Sequence, residues 1–167
     1  MHLCSVAVVL NVDAELDEDE VDDVGQAEDV IISQWREISA DEKHELHASV
    51  DEILRPLGYE TSLLVIRRAN SIAMLFTCLT LSAVMGMRDR WRSRQLRDIL
   101  QKLFSVLSGV IGTVHIKRLV WPVTHYQRCV HFFDCVQGRQ TIFSNIDCHE
   151  YMLLMYISHS SITRRGH

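Results

Sequence analysis

The side chains with the most chemistry to offer in this sequence are arginines. Arg88, Arg90, Arg92, Arg94 and Arg97 crowd the stretch around Trp91. A guanidinium presents a planar fork of donors that matches carboxylate or phosphate, and it stacks on aromatic faces. Arginine together with tryptophan is typical of protein-interaction surfaces, whose energetic hot spots are enriched in both. We therefore expect Arg88, Arg90, Trp91, Arg94 and Arg97 to form a partner-binding surface, with Trp91 partly buried as its anchor. Joined by Arg67, Arg68, Lys117 and Arg118, the same arginines suggest an alternative, a face that binds nucleic-acid phosphates. The aromatic pattern that stacks RNA bases is absent from both candidate strands, which weighs against it. A solvated basic helix face that offsets acidic residues elsewhere is the plainest reading of these letters.

Other candidate chemistry is weaker. Cys129, His131 and Cys135 cluster, as do Cys148 and His149, but zinc sites want ligand pairs at spacings such as C-x2-C, repeated further on. Cys129 and His131 are two apart on an expected helix, hence on different faces. His44 and His47 sit among carboxylates on another helix and read as exposed polar residues. His115 falls on an expected strand, where packing or hydrogen bonding is the simpler role. A dyad of Cys78 and His115 across strands is conceivable, though only the fold can bring the two together. No G-x-S-x-G elbow, H-E-x-x-H, phosphate-cradling loop or G-x-G-x-x-G is present. The expectation is no catalytic residue, no metal and no cofactor.

Several elements must position these side chains. Residues 28–38 carry apolar positions Val30, Ile31, Trp35 and Ile38 at helical spacing. Ser39 and Glu42 stand in the relation of a capping box, opening a second helical stretch with the face Leu46, Val50, Ile53 and Leu54. Pro56 and Gly58 end it. Residues 62–68 and 71–79 are β-branched or apolar runs separated by Ala69 and Asn70, a β-hairpin signature. Helical spacing returns from Leu81 and is strongest at Leu96, Ile99, Leu100, Leu103, Phe104 and Leu107. A strand over 111–121 and a helix opened by Pro122 and ended by Gly138 complete the series. This order predicts an α/β (α+β) two-layer sandwich, a small antiparallel or mixed sheet with helices packed on it. The uncharged stretch 71–87 is at the short limit of a membrane span. Thr77, Thr80 and Ser82 in its middle favour a strand followed by a helix instead.

Composition sets the outer bounds. With 167 residues and 47% hydrophobic content the chain has material for one domain and a tail. Five cysteines in no disulfide-framework spacing, with no Asn-x-Ser/Thr acceptor, suggest a reducing, cytoplasmic setting. The first residues lack the basic start of a secretory signal, and an acidic run follows them. Residues 1–60 carry a net charge of −14 and residues 61–167 one of +9. Ten carboxylates lie within 13–29. We expect residues 1–27 to be an acidic segment without fixed structure, 28–138 to be the α/β interaction domain, and 139–167 to be an appended tail. Masking of the basic face by the acidic segment is a further expectation.

One stretch carries a family likeness. SIAMLFTCLTLSAVMGMRDRWRSRQLRDILQKLF, with Trp91, Ser93, Leu96, Leu100 and Phe104, resembles the TRADD N-terminal-domain-like modules of death-domain and innate-immune adaptor proteins. The next strand, TVHIKRLVW, and the helix start THYQRCVHFF continue the pattern with Tyr126, Cys129 and Phe132. The likeness covers about residues 39–136, and Arg94 stands where the pattern has a glycine. It implies an α/β sandwich without catalysis or cofactor, acting as an adaptor in death-receptor or innate-immune signalling. The implied partner is the C-terminal domain of a TRAF-type adaptor, or a death-domain signalling protein.

Overall fold

Alternating apolar residues build a strand where the acidic N-terminal segment was expected to lack structure. The computed structural model describes residues 4–16, 24–109 and 114–137. Its first element is β1, Val6–Leu16, in which Val6, Val8, Leu10 and Val12 are all essentially without solvent contact. It is an interior strand of the sheet and pairs with neighbours on both sides. The expectation for 1–27 is corrected accordingly. Only the carboxylates beyond Leu16 follow the strand, and a period of two had already committed its apolar residues to one face. Residues 139–167, expected as a tail, lie outside the described residues.

Helix α1, Val24–Ala40, buries Ala27, Ile31, Trp35 and Ile38. Helix α2 runs only over His47–Leu54 and has no side-chain cap. The expected capping box does not form: the Ser39 hydroxyl donates to the Arg36 carbonyl, within the last turn of α1. The hairpin forms as expected from β2, Thr61–Arg68, and β3, Ile72–Cys78. Helix α3, Leu81–Arg92, is capped by Thr80, whose hydroxyl accepts from the Ala83 N–H at 3.1 Å. Helix α4, Gln95–Ser108, buries the apolar set read from the sequence. Strand β4, Val114–Val120, and α5, Val123–Gln137, follow.

The four strands form one antiparallel sheet in the order β2-β3-β1-β4. Helices α1 and α4 pack on its inner face, with α1 against β2 and α4 against β4. The result is the α+β sandwich anticipated from the element order. Stretch 71–87 divides between β3 and α3, and no described helix is long and apolar enough to cross a membrane.

β1 and β4 are paired only from Asn11 onward. Along the first half of β1 the place of β4 is taken by α5. The Val9 N–H donates to His125 Nε2 at 3.2 Å, and the Cys129 thiol approaches the Ala7 carbonyl at 3.8 Å. An accepting Nε2 fixes the His125 tautomer, with the proton on Nδ1.

Candidate functional site

In an antiparallel ladder each residue turns its N–H and C=O to the same side, so the outermost strand leaves alternate residues unpaired. Such an edge invites pairing with another chain unless it is covered. The two edges of this sheet are treated differently, and the arginines expected to bind a partner are the reason.

On β4 the outward-facing residues are Val114, Ile116 and Leu119, the register stepping past Lys117 at a bulge. The Gln101 amide donates to the Val114 carbonyl and accepts from the Ile116 N–H. Arg97 donates to the Ile116 carbonyl. The Trp91 indole donates to the Leu119 carbonyl at 3.1 Å, and Arg88 to the Trp121 carbonyl just beyond the strand at 2.9 Å. Four side chains from α3 and α4 thus satisfy five main-chain groups along this edge.

Arg88, Trp91 and Arg97 of the predicted cluster therefore have structural roles. Arg88 is only 4% exposed, with its guanidinium carbon 4.3 Å from the Trp91 ring centroid, 4.9 Å from Tyr126 and 5.2 Å from Trp121. Desolvation, with the charge of Arg92 adding to it, lowers its pKa against the opposing effect of Tyr126. Trp91 and Arg97 are half-buried and engaged at the edge. Arg90 is half-buried, its Nε without a hydrogen-bond partner. Arg94 alone of the five predicted residues is exposed. It sits between α3 and α4 with φ +67°, a left-handed backbone conformation that glycine adopts most readily. The five do not form one accessible surface.

The wider basic face is also partly neutralised. Arg118 pairs with Asp13 across β4 and β1 at 2.8 Å, and Arg68 pairs with Glu28 and Asp29. Carboxylates of the acidic stretch are thus used as fixed ion-pair partners within the fold. Buried Glu28 also accepts from the Ser71 hydroxyl at 2.8 Å, and Ser71 Oγ in turn accepts from the Ala14 N–H. This network fastens the start of α1 to the hairpin.

Neither of the other candidate chemistries assembles. Cys78 lies opposite Val6 and His115 opposite Glu15, at opposite ends of β1, so the imagined dyad does not exist. Burial pushes the Cys78 thiol up to about 11 and that of Cys129 up to about 12, which leaves both as poor nucleophiles. Cys135 and His131 approach within 3.6 Å on the exposed side of α5. Among the described residues no three metal-ligating side chains come together. Cys148 and His149 lie outside them.

The feature that sequence reasoning missed is the opposite edge. The register of β2 against β3 leaves the main-chain groups of Thr61, Leu63, Ile66 and Arg68 facing outward, with a bulge at Leu64. Among the described residues one side chain reaches this edge: the Trp35 indole donates to the Leu64 carbonyl at 3.1 Å. Between α1 and β2 runs a groove of about 480 Å³, with Ile32, Trp35, Leu64, Val65 and Ile66 as its apolar lining. A second hollow of about 440 Å³ continues it towards α2, sharing Trp35 and Ser39. Leu64 and Val65 are 47% and 40% exposed, and Tyr59 at the far end is fully so. The only sequence signal was the run of apolar letters in SLLVIRR, too long to be buried on one face.

Comparison of the chain with protein-family models, with curated proteins and with solved structures finds no match.

Proposed function

We propose that this chain is a non-catalytic protein-interaction module of adaptor type. The observation that carries the reading is the contrast between the two sheet edges. The β4 edge is closed by Gln101, Arg97, Trp91 and Arg88, whereas the β2 edge keeps outward main-chain groups beside an apolar groove. An open edge next to such a groove is the geometry by which many modules capture an extended segment of another protein. Among the described residues the two most buried thiols are held protonated, and no acid–base pair gathers in either hollow beyond His47 and Asp51, a helical pair at 3.1 Å. The likeness to TRADD N-terminal modules adds a setting, cytoplasmic death-receptor or innate-immune signalling, and a TRAF-type partner.

Nucleic-acid binding through residues 88–97 has less in its favour. A phosphate surface needs accessible guanidinium groups, and Arg88 and Arg97 are committed to carbonyls of the chain itself.

Calorimetric titration of the full chain with a TRAF C-terminal domain at two salt concentrations tests the adaptor reading. Saturable binding is the expected result. Absence of heat, together with separate elution of the two proteins on a sizing column, would remove the TRAF-type partner. Retention on heparin with a steep salt dependence would instead favour the nucleic-acid alternative.

A further inference from the structure

The charge around the open edge says what kind of segment fits it. Four charged residues line the groove between α1 and β2: Asp29, Arg36, Arg67 and Arg68. Asp29 and Arg68 neutralise each other, and Glu28 adds a second carboxylate to Arg68 from beneath. Arg36 is exposed and Arg67 half-buried, and neither makes an ion pair among the described residues. In the continuation towards α2, Asp51 and Arg55 balance each other in charge, with His47 beside Asp51 at 3.1 Å. Counting Glu28 and Asp29 against Arg36, Arg67 and Arg68, this groove with an apolar floor keeps a net charge of +1, with Arg36 on its helix wall and Arg67 on its strand wall. The chain as a whole is acidic, so this local excess is not a consequence of composition.

We infer that the β2 edge binds a short, extended, acidic peptide segment of a partner protein. Its main chain would pair with the outward groups of Ile66 and Arg68. Alternate side chains would enter the groove over Ile32 and Trp35, and its carboxylates would meet Arg36 and Arg67. The bulge at Leu64 argues for a short occupant over a second copy of this chain. It interrupts the ladder, and Trp35 already holds its carbonyl, so a long continuous strand pairing of β2 with β2 is broken in its middle. The five residues Leu64–Arg68 span about 17 Å at the usual rise of a strand, room for a segment of similar length. This inference deepens the adaptor reading and rests on it.

The test uses the full chain and three fluorescein-labelled heptapeptides read by fluorescence anisotropy. One alternates Glu or Asp with Val or Ile; the second replaces its acids by Lys; the third is the acidic peptide N-methylated at alternate residues. The acidic probe should bind saturably, and the basic and N-methylated probes should bind at least about ten-fold more weakly. The double variant Arg36→Glu/Arg67→Glu should lose the acidic probe while keeping the wild-type melting temperature, since neither side chain makes an ion pair among the described residues. Equal binding of the N-methylated probe would refute strand pairing, and equal binding of the basic probe would refute the charge argument. Concentration-dependent dimerisation in sedimentation, abolished by the same double variant, would assign the edge to a second copy and overturn the inference. If the TRAF domain binds the double variant as tightly as wild type, the adaptor reading survives and this site does not. If the acidic probe binds and the TRAF domain does not, the site stands and only the partner is wrong.

Discussion

Replacing Arg88 by lysine should destabilise the protein more than replacing it by methionine, although lysine keeps the charge. Arg88 is almost fully buried, and no carboxylate among the described residues pairs with it. What makes its burial tolerable is a planar group lying over Trp91 and near Trp121 and Tyr126 while one nitrogen donates to the Trp121 carbonyl. Desolvated cation–π contact contributes about 2 kcal/mol, and a hydrogen bond from a charged donor about 1.5–3 kcal/mol. Lysine is a compact, strongly hydrated charge that cannot stack and donate at once, so it keeps the desolvation penalty and loses most of both gains. Methionine loses the same contacts and leaves the Trp121 carbonyl bare, but it also removes the buried charge, whose removal offsets part of the loss. We expect about 3–4 kcal/mol of destabilisation for Arg88→Lys and about 1–2 kcal/mol for Arg88→Met. With a urea m-value of about 2 kcal/mol per molar, the lysine midpoint should fall by about 1.5–2 M and the methionine midpoint by less than about 1 M. Urea titration followed by tryptophan emission measures both, and Trp91 and Trp121 report on the site directly. A lysine variant as stable as wild type, or more stable than the methionine variant, would refute the stacking argument.

Three further outcomes follow from the same geometry. Gln101→Leu leaves the Val114 carbonyl and the Ile116 N–H without their partner, so the variant should lose about 1–3 kcal/mol and self-associate, as sedimentation velocity against concentration would reveal. A variant that remains monomeric at high concentration would mean that Gln101 does not guard the edge. Arg94→Gly should raise stability by up to about 1 kcal/mol, because glycine adopts the left-handed conformation at φ +67° without strain; a fall in melting temperature would count against it. The folded-state pKa values of Cys78 and Cys129 lie above the ordinary thiol value of 9.0, at about 11 and about 12. Their contribution to stability is therefore complete below pH 9 and is lost as pH rises through these values, since the unfolded chain releases its thiol protons first. Native-state alkylation at pH 8 should accordingly modify partly exposed Cys4 and Cys135 and spare Cys78 and Cys129; rapid labelling of either buried thiol would contradict the fold around it.

Sequence alone determined the elements whose burial is written in local periodicity. The i, i+3, i+4 recurrence of α4, the hairpin over Thr61–Cys78 and the sandwich class all rest on spacing within one segment. The expected helix at residues 28–38 was placed correctly but bounded loosely, because helix ends depend on caps such as Thr80 that only the folded neighbourhood selects or ignores; the expected strand at 111–121 holds β4, its first three residues lying outside the described ones. β1 was lost to its own composition: an acidic run follows it, and its partners β3 and β4 lie some 60 to 110 residues further along the chain. The arginines show the limit most clearly. Their types and spacing are the same whether they face solvent or close a sheet edge. Which of these happens depends on where β4 lies relative to α3 and α4, a long-range arrangement that no local pattern records. The open edge at β2 was invisible for the same reason, since an edge is defined by the strand that does not lie beside it.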